Sequence, residues 1–237
     1  MDILYLSPHP DDDASWSAGT IYTLLKQNNN IFEYVFTKGG KGTLNPNLRG
    51  SPLRKIREQE ALEFRKKFHL AKLEFLDYYD QGLPFNKKIV SEILNLLLNH
   101  SFSVVFAPYH KKSWLKNHID HINLGKAALK AVKLYNQEKN INLTGENQNR
   151  GFLPLMQYHS QKPNCFVDVS HLSYKIYHYM QDVYRSQWHT LMTKLPLRYI
   201  LSYYYGRYIS SKKAEGFYLS YPGTKIKIKK DVKIKYG

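Results

Sequence analysis

One cysteine, Cys165, stands in 237 residues. No intramolecular disulfide can form, and a zinc site built from several thiolates is excluded. No run of about 18 apolar residues occurs, the length a membrane-spanning helix needs. The N-terminal Met1-Asp2-Ile3-Leu4 lacks the basic and apolar regions of a secretory leader. These absences lead to the expectation of a cytoplasmic protein. Acidic residues are also scarce, with 19 Asp and Glu against 35 Lys and Arg, a formal net charge of +16. That excess favours anionic partners such as nucleic acid, phosphorylated small molecules or acidic lipid, without choosing among them. Hydrophobic residues at 43% and charged residues at 23% exclude a disordered chain.

What is present is an alternation of short apolar runs with helical patterns. Strands are expected at residues 3–6, 31–36, 73–76 and 103–107. Helices are expected at 14–27, 52–70, 89–98 and 118–134. The second helix opens on Ser51-Pro52, a capping residue followed by proline at the first helical position. Residues 135–150 are polar and Asn-rich and read as a surface excursion. Strands at 153–158 and 166–169 follow, then a helix over 171–188. The alternation implies an α/β, Rossmann-like single domain over residues 1–237, its sheet mostly parallel with helices on both faces. Ligands bind such sheets beyond the carboxyl ends of the strands, so the active site is expected there.

Directly after the first strand comes Ser7-Pro8-His9-Pro10-Asp11-Asp12-Asp13. Three adjacent carboxylates repel one another, and a divalent metal would offset that cost. For this segment alone, a solvated turn whose aspartates favour the positive end of the next helix is an equally good account. The second piece, Asn117-His118-Ile119-Asp120-His121, opens the helix after the fourth strand. His118 and His121 share one face of a helical turn, with Asp120 close enough to hydrogen-bond an imidazole. His9, Asp12 and His121 supply two nitrogens and one oxygen, the three-ligand pattern of a catalytic zinc with an open fourth position. Asp11 is then left as a base for water, and His118 as a proton-donating or positively charged partner.

Pro8-His9-Pro10-Asp11-Asp12 together with His118-x-Asp120-His121 resembles the LmbE/PIG-L family of zinc-dependent de-N-acetylases. Its members remove acetyl from N-acetylglucosamine units linked to other groups. The resemblance implies His9, Asp12 and His121 as ligands of Zn2+, Asp11 as general base, His118 as acid or oxyanion stabiliser, and Asp120 as its orienting partner. Fe2+ or another divalent ion also suits these donors, since affinity order alone does not select the metal. Fainter echoes follow in order. Thr37-Lys38-Gly39-Gly40 resembles the family's turn after the second strand. Ile56-Arg57-Glu58-Gln59-Glu60 resembles a segment whose Arg57 would reach substrate, and Asp80-Gln81-Gly82-Leu83 a loop whose Asp80 would contact sugar hydroxyls. Val167-Asp168-Val169, Lys175, Ser186-Gln187 and Lys213-Ala214-Glu215-Gly216-Phe217 resemble its later elements. Two departures stand out. The first motif commonly ends in Glu, whereas Asp13 stands here and is left outside the ligand set. Leu115-Lys116-Asn117 lacks an aromatic that some members carry, which leaves Tyr109 as the substitute to consider.

The expected activity is metal-dependent removal of acetyl from an N-acetylglucosamine-type conjugate, with an acidic group on that conjugate compatible with the basic surface. The competing readings are a related metal amidohydrolase acting on another N-acyl glycan or natural product, and a nucleic-acid- or membrane-surface-binding module with a vestigial metal site. Nucleic acid is not the expected partner. Residues 224–237 alternate with period two, five lysines on one face. An edge strand or hairpin whose lysines keep it soluble and block edge pairing is the favoured reading, and contact with acidic lipid or polymer the other. Segments 44–51, 135–150 and 190–211 read as loops that set specificity for the rest of the conjugate.

Overall fold

Asp2–Ser7 forms a strand at the centre of the sheet because it is apolar on both sides of the pleat. Ile3 and Tyr5 enter the core on one face, Leu4 and Leu6 on the other. The computed structural model describes residues 1–112, 118–142, 152–220 and 234–236. In chain order the elements are β1 (Asp2–Ser7), α1 (Asp12–Trp16), α2 (Ala18–Lys26), β2 (Asn30–Thr37), α3 (Ser51–Phe68), β3 (Lys72–Tyr78), α4 (Lys87–Asn99) and β4 (Val104–Pro108). There follow α5 (Ile119–Asn142), β5 (Leu155–Tyr158), β6 (Cys165–Asp168), α6 (Tyr174–Gln181), α7 (Trp188–Gly206), β7 (Ala214–Leu219) and β8 (Ile234–Tyr236).

The sheet runs β3-β2-β1-β4-β5-β7-β6-β8. Neighbours from β3 through β5 are parallel, while β7 pairs antiparallel with β5 and β6, and β8 antiparallel with β6. Helices α1, α2, α3 and α6 cover one face, where Ala14, Ile21, Phe64 and Met180 are buried. Helices α4 and α5 cover the other, through Ile89, Ile93, Leu124 and Ala128. This is the doubly wound α/β arrangement that the strand–helix alternation implies. The chain leaves β1 for β2 and β3, then returns to place β4 on the other side of β1. The strand order therefore reverses between β1 and β4, which opens a crevice beyond their carboxyl ends.

Four segments differ from the sequence-based expectation. The helix expected over 14–27 is two helices, broken at Ser17, whose hydroxyl bonds the Tyr5 hydroxyl at 2.9 Å. The break frees the first amides of α2, and Gly19 and Thr20 each donate to Glu215 at 2.8 Å. Residues 135–142 continue α5 instead of leaving it as a surface excursion. Asn136 is buried there and exchanges two hydrogen bonds with the Leu153 backbone, so its polarity serves an internal contact. The helix expected over 171–188 ends at Gln181, and a 3-10 turn at Arg185–Gln187 intervenes before α7. Tyr184 turns inward at this break and donates to Asp13 at 3.0 Å. Residues 190–206, expected as loop, belong to α7. Most of the basic tail at 224–237 lies outside the described residues; Ile234–Tyr236 pairs with β6. Among the described residues, no helix is long and apolar enough to cross a membrane.

Gly125 fixes how closely α5 approaches the end of β4. A Cβ there would strike the Pro108 carbonyl and come within 2.9 Å of the His110 nitrogen. Backbone cannot step aside as a side chain does, so Gly125→Ala is expected to cost about 1–3 kcal/mol of stability. It should also displace the start of α5, and with it His121. Urea unfolding checks the first effect and metal content the second.

Candidate active site

Two segments meet at the crevice. The turn after β1 carries His9 and Asp11 into α1, and the segment after β4 delivers His118, Asp120 and His121 at the start of α5. His118 accepts the Ile122 amide through its carbonyl and so sits at the N-terminal edge of that helix. The three imidazoles converge, with ring centroids 4.6 Å apart for His9–His118, 5.3 Å for His9–His121 and 5.6 Å for His118–His121.

Each of the three adjacent aspartates has its own partners, although burial and the charges of Glu33 and Asp11 still raise Asp13 well above the usual carboxylate range. Asp11 pairs with the Arg57 guanidinium, and both are buried. Asp12 accepts the His9 amide at 2.9 Å and lies 3.3 Å from His9 Nδ1 and 3.4 Å from His121 Nε2. The Trp16 indole also donates to Asp12, at 3.1 Å. Asp13 turns away, accepting from the Ala14 amide and the Tyr184 hydroxyl. Arg57 in turn donates to the Gly39 carbonyl at 3.1 Å. Gly39 has φ +61°, and a Cβ there would land on the guanidinium.

The far side of His9 is held by two more carboxylates. Its Nε2 lies 3.3 Å from Asp120 and 3.4 Å from Asp80. Asp120 accepts the Gln81 and Leu83 amides at 2.7 and 3.0 Å, and Asp80 accepts the Lys41 amide at 2.7 Å. Asp120 stands 3.9 Å from His118 Nδ1, an ion-pair distance and not a hydrogen bond. It therefore braces His9 more closely than the His118 partner that the sequence motif suggests, because the loop amides draw its oxygens inward.

Burial opposes a charge on His9, but Asp12, Asp120 and Asp80 outweigh it and raise the imidazole well above its usual value. Burial and the neighbouring His9, His159 and His118 lower His121 well below the usual range, against the pull of Asp12. Burial likewise opposes ionisation of Asp80, yet its hydrogen bond to His9 and that imidazole's charge bring it down to about 2. Behind the site, burial pushes Glu33 up to about 8, with its Ser7 hydrogen bond (2.5 Å) opposing and the Asp12 charge assisting. The sign is that of a raised carboxylate. The folded protein keeps a proton that the unfolded chain releases near pH 4.5, so stability falls as pH rises from about 4.5 to 8. Glu33→Gln is expected to flatten that fall and to gain roughly 1–3 kcal/mol over wild type at pH 8. Urea midpoints at pH 5 and pH 8 read it directly, and an unchanged pH slope would exclude Glu33 as its source.

Two sets of side chains bring ligand atoms within 4.8 Å of one another: His9, Asp12 and His121, and His9, Asp80, His118 and Asp120. In the first set the Asp12 carboxylate sits between the two imidazoles, its Oδ2 3.3 Å from His9 Nδ1 and its Oδ1 3.4 Å from His121 Nε2, and two nitrogens with a carboxylate oxygen are donors that suit zinc. His9 offers Nδ1 to that set while carboxylates hold Nε2, the bracing usual for a metal-bound imidazole. The residues therefore fit a divalent ion. A cavity of about 590 Å³ opens beside them, lined also by Lys41, Asn45, Gln81, Ser186 and Gln187.

The PIG-L family, described as GlcNAc-PI de-N-acetylase, matches residues 4–132, a span that includes both motifs. The chain belongs to the PIG-L family. Diacetylchitobiose deacetylase of Thermococcus kodakarensis is 29% identical over 177 residues, covering 71% of this chain and 63% of that protein. The chain thus matches somewhat less than two thirds of that relative's length. The structure of N,N'-diacetylchitobiose deacetylase from Pyrococcus horikoshii, complexed with its inhibitor MPG, superposes with a TM-score of 0.76. It shares 28% identity and covers 92% of this chain and 83% of that one. A 4-carboxy-2-hydroxymuconate hydratase, GalB from Pseudomonas putida KT2440, has a TM-score of 0.75 at 15% identity, covering 93% of this chain and 96% of that one. The last likeness is one of fold alone, and a hydratase on this fold shows that the fold does not choose the reaction.

In this PIG-L member, all eight residues singled out from the sequence (His9, Asp11, Asp12, Arg57, Asp80, His118, Asp120 and His121) gather around the one crevice. Tyr109 does not join them; it packs on Tyr218 with ring centroids 5.2 Å apart. Glu60, three residues after Arg57, accepts the Ser186 amide and hydroxyl at 2.7 and 2.6 Å and so fixes that wall of the cavity. Sequence reasoning missed Trp16 and His159, whose rings stack at 3.6 Å. Both carried a signal. Trp16 stands four residues after Asp12 on the same helix, and His159 directly follows β5, at a strand's carboxyl end.

Proposed function

We propose that the chain is a metal-dependent hydrolase that removes the acetyl group from an N-acetylglucosamine-type conjugate. The observation that carries this is the His9–Asp12–His121 set at ligand spacing, with Asp11 and His118 on the same cavity. His9, Asp12 and His121 would hold the ion, zinc being the proposed metal and Fe2+ the alternative. When bound, it supplies Lewis acidity toward the acetamide carbonyl and brings a water toward a pKa of about 7.

The protein's own groups do the rest. Asp11 is anchored to Arg57 through Oδ1, which leaves Oδ2 to take the proton of the attacking water. His118 donates to the oxyanion that develops on the carbonyl and protonates the amine as the C–N bond breaks, releasing acetate. Asp120 and Asp80 hold the His9 ring in place by its far nitrogen. Lys41, Asn45, Gln81 and Gln187 present polar groups where sugar hydroxyls would lie. The test is free-amine release from diacetylchitobiose, other N-acetylglucosamine glycosides and N-acetylated peptides. Release from the sugars and not the peptides is expected. Release from peptides alone would move the protein to another class of amidohydrolase.

A further inference from the structure

A second cavity, of about 410 Å³, shares Trp16 as a lining residue with the first. Arg198 of α7 reaches into it, and its Nε, Nη1 and Nη2 are all buried with no hydrogen-bond partner among the described residues. Its guanidinium carbon lies 3.9 Å from the centre of the Trp16 ring. A cation–π contact satisfies none of the five N–H donors of an arginine. Burial pulls Arg198 down to about 10, so it stays charged at neutral pH. Asp11, Asp12 and Glu215 act on it at a distance, yet none accepts from it, and Glu215 is already engaged by the Gly19 and Thr20 amides. Gln181 also lines the cavity and has a buried side-chain oxygen without a donor among the described residues, while the exposed Lys162 adds a second positive charge. A buried charge with unfilled donors is costly unless an oxyanion completes it, and arginine's planar fork matches carboxylate and phosphate.

We propose that this cavity is a subsite for a carboxylate or phosphate group carried by the substrate beyond its acetamido sugar, received by Arg198. The inference rests on the deacetylase reading and names the chemical class of the remainder of the conjugate. Gln181 then accepts from a hydroxyl next to that anion, and Trp16, tied to Asp12, forms the wall between the reacting acetamide and the anionic end.

The test compares three N-acetylglucosamine glycosides whose aglycones have equal length and end in a carboxylate, a phosphate or a methyl group. For at least one anionic glycoside kcat/KM is expected to exceed the neutral one by about tenfold or more, mostly through KM. Which one leads tells carboxylate from phosphate. In Arg198→Met the preference falls to within about twofold, and Arg198→Lys retains an intermediate ratio, since lysine keeps charge without the fork. Acetate release from all three without preference in wild type, which needs no variant to fold, overturns the subsite and leaves the deacetylase reading standing. If none releases acetate, that reading fails, and calorimetric titration of the carboxylate and methyl glycosides decides the subsite alone. Tighter binding of the carboxylate by wild type but not Arg198→Met supports it, and equal binding overturns it. Inorganic phosphate bound through Arg198 with no preference among glycosides assigns the cavity to a free anion and overturns the substrate-borne form.

Discussion

Replacing His121 by alanine is expected to strip the protein of its metal and abolish acetate release together. His121 is buried, its Nε2 lies 3.4 Å from Asp12, and its surroundings keep it neutral, the state in which an imidazole binds metal. The proposed ligand set has three side chains, so losing one leaves His9 and Asp12 as a chelate too poor to retain the ion. The loss should exceed the roughly 10–100-fold that removal of an outer partner costs. Its Nδ1 has no hydrogen bond among the described residues, so the truncation breaks no internal hydrogen bond at that atom. His118→Ala is the contrast, with metal retained and acetate release reduced by about 10²–10⁴. Metal analysis of both variants alongside turnover separates the two roles. Full metal occupancy in His121→Ala would remove His121 from the ligand set.

Asp11→Asn is the second large effect, and it separates chemistry from assembly. The amide cannot take a proton, so kcat is expected to fall by about 10²–10⁴ while metal content stays at the wild-type level. The same change unpairs Arg57, which is 3% exposed and otherwise bonds the Gly39 carbonyl. A buried charge deprived of its partner costs about 3–5 kcal/mol, so the urea midpoint should drop as well. Arg57→Met removes the other half of the pair and shares the stability loss, but it keeps the carboxylate and therefore most of kcat. If Asp11→Asn turned over within tenfold of wild type, another group would have to be the base.

How much of this was legible beforehand follows from distance along the chain. His9, Asp11 and Asp12 lie within four positions, as do His118 and His121, and both groups follow apolar strands. The doubly wound sheet brings the ends of β1 and β4 together, so the two short motifs meet in one crevice. The framework behind it was not legible. Glu33 meets Ser7 across 26 positions, Tyr184 meets Asp13 across 171, and Glu215 meets Gly19 across 196. No local pattern announces such contacts, because each depends on the order of strands in the finished sheet. Asn136 misled for a related reason. A polar side chain that replaces backbone pairing inside the core has the composition of a loop residue. Arg198 was hidden in a segment that reads as loop and is helix.

Titrating metal into chelator-treated protein while following acetate release bears most directly on the reading as a whole. Activity on an N-acetylglucosamine conjugate should be absent at the start, rise in proportion to bound ion, and level off at a single equivalent per chain. His121→Ala should stay flat throughout. Chelator-treated protein that released acetate at the full rate, or a plateau unaffected by loss of His121, would contradict it.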